Sequence, residues 1–589
     1  MAEGITRRQV GAAFGGAVIV AALGSGTAGA VESTKTSGGG MTLRRGSARQ
    51  AGLLPEWLDQ LVEDARSFLG PSPKYPWYAG AVMLAGRGRT VALERAIGKA
   101  VRYQRYDEAT DTGVEFPPDK QIDMSMDTVF DLASVSKLFT SLLAVQQLER
   151  GKLELEAPVA SYLPEFGAAG KEAVTIRQLL THTSGFTSWI PLYEEPTWEA
   201  KLQRLWKQPL ANPAGTKYLY SDLNLISLQL VLEELTGKKL DVLLRDEITG
   251  PLGMTRTRYA PPASWQPKIA ATEDARKPWS GLDRGLVWGE VHDENAFSFD
   301  GVAGHAGVFS CAWDLAVLAR TLLNGGSYGR ARILSEKSVD LMFTDFNTDF
   351  PGDEHGLGFE LYQHRYMGAM ATPGTAGHTG FTGTSLVLDP STDSFLVLLG
   401  NSVHPVRSWR SGSAPRVATA NDLARAVPVR PASGRTAWFS GMASQTEATL
   451  TLPELTVPGA RTKLTFGLWW DTEPAADAVS LEASADGGST WEPVPFTTRA
   501  RGQEPAEHPS GSVDGWSGRV WHKAEAPLAG WRGKVLRLRW RYATDLRYVG
   551  RGVYVDAVRV ADGDDVLFDD SRRKDASRIE AKGWTASAD

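Results

Sequence analysis

Phe130-Asp131-Leu132-Ala133-Ser134-Val135-Ser136-Lys137 decides how the rest of this chain is read. An apolar approach ends in a serine, and a lysine follows three residues later at the start of a periodic run. Leu138, Leu142, Val145 and Leu148 recur at the spacing of one helix face, and Gly151 stands where a left-handed residue ends a helix. Ser134 is therefore expected to open a helix, with Lys137 one turn on. Positions i and i+3 share a helical face, so the lysine can reach the serine hydroxyl, while the helix N-terminus favours negative charge beside it. A serine hydroxyl is a weak nucleophile until a neighbour takes its proton, and this spacing supplies one. The same four residues would also suit a capped surface helix with a solvated lysine, so the decision rests on the remainder of the chain.

Two motifs follow downstream. Pro213-Ala214-Gly215-Thr216-Lys217-Tyr218-Leu219-Tyr220-Ser221-Asp222 leads into a helix expected from about Leu223. A tyrosine at such a junction can turn its phenol inward; Asp222 or Asn224 would equally serve as an ordinary helix cap. His378-Thr379-Gly380 stands before a strand expected over 381–388, where Gly380 would let substrate approach the backbone closely.

In the order S-x-x-K, Y-S-D, H-T-G, the three motifs resemble the serine β-lactamase and penicillin-binding-protein superfamily. The branch is that of class C β-lactamases, D-Ala-D-Ala carboxypeptidases and related esterases, and the likeness covers about residues 51–405. It extends to Thr175-Ile176-Arg177-Gln178-Leu179-Leu180-Thr181-His182-Thr183-Ser184-Gly185 and to Pro251-Leu252-Gly253-Met254. The resemblance implies Ser134 as acylated nucleophile, Lys137 as its proton-relay partner, and Tyr220 as base toward Ser134 and acid toward the leaving group. It assigns Asp222, His378, Thr379 and Gly380 to substrate binding. The backbone N–H groups of Ser134 and Phe381 would form the oxyanion hole, at about 3 kcal/mol per donor. No cofactor is implied, and a metal reading of His292, Asp293 and His305 matches no known ligand spacing.

Two positions depart from the resembled pattern. Asp222 replaces the more usual asparagine, and an ionised carboxylate cannot donate to a substrate carbonyl. His378 replaces the lysine of many β-lactamases and points toward the carboxypeptidase and esterase relatives. An unperturbed histidine titrates near 6.5, so the cationic form of His378 is expected to help hold a substrate carboxylate within the working pH range.

The element order is helix, hairpin, mostly helical insertion and hairpin. This predicts an α+β domain with an antiparallel sheet built from both ends of the segment. At 589 residues the chain exceeds one ordinary domain. A Pro/Ala/Arg-rich stretch over 406–430 reads as a linker. Beyond it, over 431–589, helical periodicity fades and Leu536-Arg537-Leu538-Arg539-Trp540-Arg541-Tyr542 alternates strictly, as in an all-β sandwich. Nine of the nineteen tryptophans lie there, as core packing or as stacking surfaces for a cell-wall glycan. The turn Asp562-Gly563-Asp564-Asp565 offers oxygens to calcium but fits a solvated turn better.

Thr6-Arg7-Arg8-Gln9-Val10 before a mildly apolar stretch resembles a bacterial twin-arginine (Tat) signal over 1–30, followed by a Ser/Thr/Gly-rich linker over 31–50. A secreted location is therefore expected. The net charge of −6 gives no case for nucleic acid, and a single cysteine, Cys311, excludes an intramolecular disulfide. The resemblance implies an exported serine hydrolase acting on a D-Ala-D-Ala-type peptide or a small ester or amide, with β-lactams as acylating ligands. An esterase, D-amino-acid amidase or β-lactamase would use the same residues. A non-catalytic penicillin-sensing or wall-binding protein is the alternative of a different class.

Overall fold

The computed structural model describes residues 40–410 and 412–589. The expected signal segment, 1–30, lies outside the described residues.

The first domain is built on one sheet whose strands come from both ends of its sequence. Its elements are β1 (Arg44–Arg45), α1 (Pro55–Ser67), β2 (Gly80–Arg87), β3 (Thr90–Val101), α2 (Ser136–Glu149), α3 (Asp222–Thr236), α4 (Ala312–Leu323), β4 (Glu360–Leu361), β5 (Ala376–Thr379), β6 (Thr384–Asp389), β7 (Ser394–Gly400) and α5 (Ala414–Ala426), with shorter pieces between them. The strand order is β1-β3-β2-β7-β6-β5-β4. All pairs are antiparallel except β1 with β3, which run parallel at the edge, so the expected antiparallel sheet is mixed at its rim.

The central strands are apolar on both faces because both are covered. Along β2, Val82 and Leu84 join a core with Leu142, Leu315 and Leu318 of α2 and α4. Ala81, Met83 and Ala85 face the opposite way, against Leu58 and Leu61 of α1 and Leu423 of α5. Period-2 alternation thus separates two cores, and both are apolar. Helix α2 is buried around nearly its whole circumference, mostly with apolar or small residues but with Lys137, Gln146 and Gln147 buried as well.

Two sequence expectations change here. The stretch over 406–430 is more than a linker: α5 packs on α1 and the sheet, with Ala420 and Leu423 fully buried, and Leu54 N–H donates to Ala426 O at 2.8 Å. The strand expected over 381–388 begins only at Thr384. Residues 380–383 form a turn, and His378 and Thr379 end a strand of their own.

The second domain is a sandwich of two sheets, as the alternation predicts. One centres on β8 (Thr462–Asp471) and β11 (Gly552–Asp562), the other on β9 (Ala478–Ser484) and β10 (Val535–Ala543). Along β10, Leu536, Leu538, Trp540 and Tyr542 are each 1% exposed, while Arg539 and Arg541 point outward to Glu482 and Arg537 to Glu580. Trp540 meets Phe466 of the facing sheet edge-on at 5.0 Å. Of the nine tryptophans only Trp516 is exposed, so they supply core and edge packing and do not form a row of stacking platforms.

The two domains meet through buried polar groups. Arg519 bridges Asp389 at the end of β6 (2.9 Å) and Asp471 at the end of β8 (2.8 Å), and donates to Ala369 O. Arg551 donates to Ala424 O, and Arg425 of α5 pairs with Asp589.

Candidate active site

Ser134 lies where Phe130–Asp131 gives way to a single 3-10 turn, Ala133–Val135, that runs directly into α2. Ala133 is held at φ 47°, in the left-handed region that a β-carbon disfavours. Such strain persists only where the surroundings enforce it. Asp131 supplies the constraint: its buried carboxylate accepts from Ala133 N–H at 2.9 Å and from His292 N–H at 2.6 Å.

Lys137, 1% exposed, donates to Ser134 Oγ at 2.9 Å and to His305 O at 3.1 Å. Its Nζ also stands 2.8 Å from Asp222 Oδ1 and 4.8 Å from the centre of the Tyr220 ring. Burial alone would lower its pKa, but Asp222 and Tyr220 outweigh that and hold it above the ordinary lysine value, as an ammonium. Burial pushes the Tyr220 phenol up, against the nearby ammonium and with the help of Asp222.

Helix α3 is capped by Ser221, whose Oγ accepts from Leu223 N–H. Asp222 is therefore free to pair with Lys137, and neither Asp222 nor Asn224 is the cap. His182 packs against the Tyr220 ring with centroids 4.5 Å apart. Its Nδ1 accepts from Ser221 N–H at 3.1 Å and lies 3.0 Å from Asn224 Nδ2. Burial holds His182 neutral, well below its ordinary pKa. The loop ahead of α3 is thus fixed from below, and with it the direction of the phenol.

The opposite wall is the end of β5 and the turn after it. Thr382 Oγ1 donates to Asp131 O at 2.7 Å and Thr384 Oγ1 to Leu132 O at 2.9 Å, which ties the turn to the approach of Ser134. Arg416 of α5 donates to Gly380 O and Thr384 O from the other side. A β-carbon on Gly380 would lie 2.1 Å from Thr384 Oγ1 and 2.3 Å from Leu132 O. Gly380 is thus required by contact with the Ser134 loop, whereas the sequence suggested room for substrate.

His378 departs further from expectation. It is 1% exposed, and its Nδ1 donates to Thr379 O at 2.8 Å, leaving Nε2 without a partner among the described residues. Burial, opposed by Glu360, pushes its pKa down to about 4, so the side chain is neutral near pH 7 and supplies no cation.

A cleft of about 370 Å³ joins these parts, lined by Ser134, Tyr220, His378, Thr379, Phe381 and Arg410 among others. Asp353 and Glu354 line it too. The Phe381 ring is exposed and carries both the Arg407 and Arg410 guanidinium groups at 5.7 Å. The metal reading of His292, Asp293 and His305 does not survive: His292 pairs with Glu273, whereas Asp293 pairs with His305 at 2.9 Å. Asp222, Asp293 and His305 do converge, but the Lys137 ammonium is already paired there.

Ser134, Tyr220, His378, Thr379, Gly380 and Phe381 therefore line one cleft, with the Lys137–Asp222 pair beside Ser134. The sequence reading did not find Asp131, His182, Arg410 and Arg416. Asp131 and His182 stood within quoted motifs without a role, while Arg410 and Arg416 lay in the presumed linker.

A β-lactamase family model matches residues 60–421, and a model described as the immune inhibitor A-like MAM domain matches residues 413–589. A protein of Escherichia coli K12 named "Putative D-alanyl-D-alanine carboxypeptidase" is 35% identical over 306 residues, 47% of this chain and 70% of that protein. One of the same name from Escherichia coli O157:H7 is 33% identical over 356 residues, 56% of this chain and 79% of that protein. Among solved structures, a class C β-lactamase superposes with a TM-score of 0.50 at 18% identity, covering 64% of this chain and 97% of that one, a likeness of fold. Taken with the three motifs at one cleft, these matches show that the chain belongs to the β-lactamase superfamily of serine hydrolases and carries a MAM-like sandwich as its second domain.

Proposed function

We propose that the protein is an exported D-Ala-D-Ala carboxypeptidase-type enzyme acting through an acyl-enzyme on Ser134. The observation that carries this reading is the meeting of Ser134 Oγ, the Lys137–Asp222 pair and Tyr220 in a cleft that also holds Arg410. Ser134 Oγ attacks the peptide carbonyl, and the Ser134 and Phe381 N–H groups receive the oxyanion. Tyr220 takes the serine proton and passes it to the departing amine, so the C–N bond breaks as the ester forms. Water then hydrolyses the ester by the same route in reverse.

Resting charges add a condition. A lysine ammonium and a neutral phenol cannot accept a proton, so the reactive form is the one in which the Lys137–Tyr220 pair has lost one. The rate therefore rises with pH through that ionisation.

A substrate carboxylate needs a cation that neutral His378 does not provide. Arg410, largely buried beside Thr379 and Phe381 and paired with no carboxylate among the described residues, fits that role. The names of the curated relatives agree with this substrate class, and the twin-arginine segment supports export to the cell-wall compartment. An esterase is the second reading, favoured by Asp222, whose carboxylate cannot donate to an amide side chain.

A turnover panel of D-Ala-D-Ala peptide, p-nitrophenyl ester, D-amino-acid amide and cephalosporin tests the proposal. The peptide is expected to be preferred, with Arg410→Ala raising its KM tenfold or more, about 1.4 kcal/mol, and leaving the neutral ester little changed. Ester turnover without any peptide turnover would establish the second reading instead.

A further inference from the structure

Phe381 is held at two ends, by its backbone and by its ring. Its own N–H carries no hydrogen bond among the described residues, while the preceding carbonyl, Gly380 O, accepts from Arg416 Nη2 at 2.8 Å and from Gly383 N–H at 3.0 Å. A trans peptide points its N–H opposite to its C=O, so these bonds aim the Phe381 N–H away from Arg416. The ring is fixed from outside the cleft. His292 stacks on it with centroids 5.6 Å apart and 25° between the planes, and the Arg407 guanidinium stands 5.7 Å from its centre. Both neighbours converge on one carboxylate, Glu273, which is 0% exposed. Glu273 accepts from Arg407 Nε at 2.9 Å, from Arg407 Nη2 at 2.6 Å and from the Arg407 backbone N–H at 2.8 Å, and it lies 2.9 Å from His292 Nε2. Burial would raise its pKa, but the bonds from His292 and Arg407 hold it below the ordinary carboxylate value. An ionised carboxylate only accepts, so His292 Nε2 carries a proton toward it.

We propose that Glu273 is a positioning residue of the oxyanion hole: through Arg407 and His292 it holds the Phe381 ring, and through the ring it holds the Phe381 N–H opposite Ser134. The inference rests on the acyl-enzyme reading given above. Glu273, His292 and Arg407 do not line the cleft, so they act on the reaction through Phe381 and not by touching substrate. Apolar side chains would fill the same space without the desolvation of a buried carboxylate; what the ionic cluster adds is direction, because a guanidinium bound at two nitrogens allows one geometry. Glu294 Oε1 accepts from Arg407 Nη2 at 2.7 Å and narrows it further. Arg410 meets the same ring at 5.7 Å but has no carboxylate among the described residues to fix it, so the steadying contact is that of Arg407. The cluster also reaches the other side of the site, since the His292 N–H donates to Asp131, the residue that shapes the approach to Ser134. A donor displaced by about 1 Å loses much of its hold on the developing oxyanion while ground-state binding is kept.

Turnover of a p-nitrophenyl ester and of its thionoester counterpart, in which C=S replaces the reacting C=O, tests this in the full chain. Sulfur accepts N–H bonds poorly, so an aligned oxyanion hole favours the oxygen ester. Arg407→Lys keeps the charge and loses the two-nitrogen contact. It should lower kcat for the oxygen ester about tenfold or more, leave KM within about twofold, and shrink the preference for oxygen over sulfur. Glu273→Gln should act in the same direction, and Arg407→Lys carries the test if the buried glutamine prevents folding. In Phe381→Ala the ring is gone, so adding Arg407→Lys should lower kcat by no more than about a further twofold, whereas independent effects would multiply. An unchanged oxygen-to-sulfur preference in Arg407→Lys, or losses that multiply in the double variant, would overturn the proposal. Undiminished ester turnover by Ser134→Ala would instead overturn the acyl-enzyme reading, and this inference with it.

Discussion

The two domains fill their interiors in opposite ways. Around the cleft of the first, Lys137, Asp131, His182 and His378 are buried, each held by a named partner or stripped of its charge. Inside the second, Leu450, Leu464, Phe466, Val555 and Trp540 meet across two sheets, while Arg539 and Arg541 pair with glutamate on the outside. The difference teaches where stability and activity are located. Buried ionisable groups cost desolvation and are repaid in chemistry, whereas the apolar sandwich returns its burial as stability.

Paired substitutions should separate the two most sharply. Lys137→Met is expected to lower kcat/KM for ester and peptide by at least about 10³-fold, the upper range for loss of a proton-transfer group. Trp540→Ala should leave kcat within about twofold and destabilise the second domain by about 3–5 kcal/mol, the cost of a large core cavity. Steady-state kinetics and denaturant melts of both variants check this, and equal loss of activity in the two would erase the distinction.

The next effect is acid sensitivity centred on the first domain, where His364, His378 and His404 lie, against His508 alone lowered in the second. Burial pushes His364, His378 and His404 each down to about 4. Each is neutral in the fold and takes a proton on unfolding below pH 6.5, so stability falls as the pH drops from 6.5 toward 4. At pH 5 the loss is about 2 kcal/mol per histidine. Hydrogen exchange between pH 7 and 5 should show opening of the first domain while the β8 to β11 core stays protected; uniform loosening of both would contradict the contrast.

A smaller effect concerns Asp222. Its carboxylate raises the pKa of both Lys137 and Tyr220. Asp222→Asn should therefore move the ascending limb of the kcat/KM profile to lower pH by about one unit, equal to tenfold in rate on that limb. An unmoved limb would show that the carboxylate does not tune the proton relay.

Much of the cleft was legible because its motifs are local. Ser134 and Lys137 sit one helical turn apart, and Tyr220 directly precedes α3, so spacing alone brought out their geometry. The alternation of β10 was equally plain, since period 2 with arginine on one side has a single reading. Helix α5 was missed because it has little amphipathic contrast: Arg416 and Arg425 are buried in it beside Ala420 and Leu423, so no polar face marks it out. The charge of His378 was missed for a different reason. Its solution pKa gives no hint that Tyr220 and the end of β5 enclose it.

Every step of the proposed reaction depends on acylation of Ser134. Intact-protein mass after incubation with penicillin or a fluorophosphonate tests it most directly, with the Ser134→Ala chain alongside. One adduct per chain, mapped to the peptide containing Ser134 and absent from the alanine variant, is the expected result; an adduct of the same stoichiometry on the Ser134→Ala chain would contradict the account.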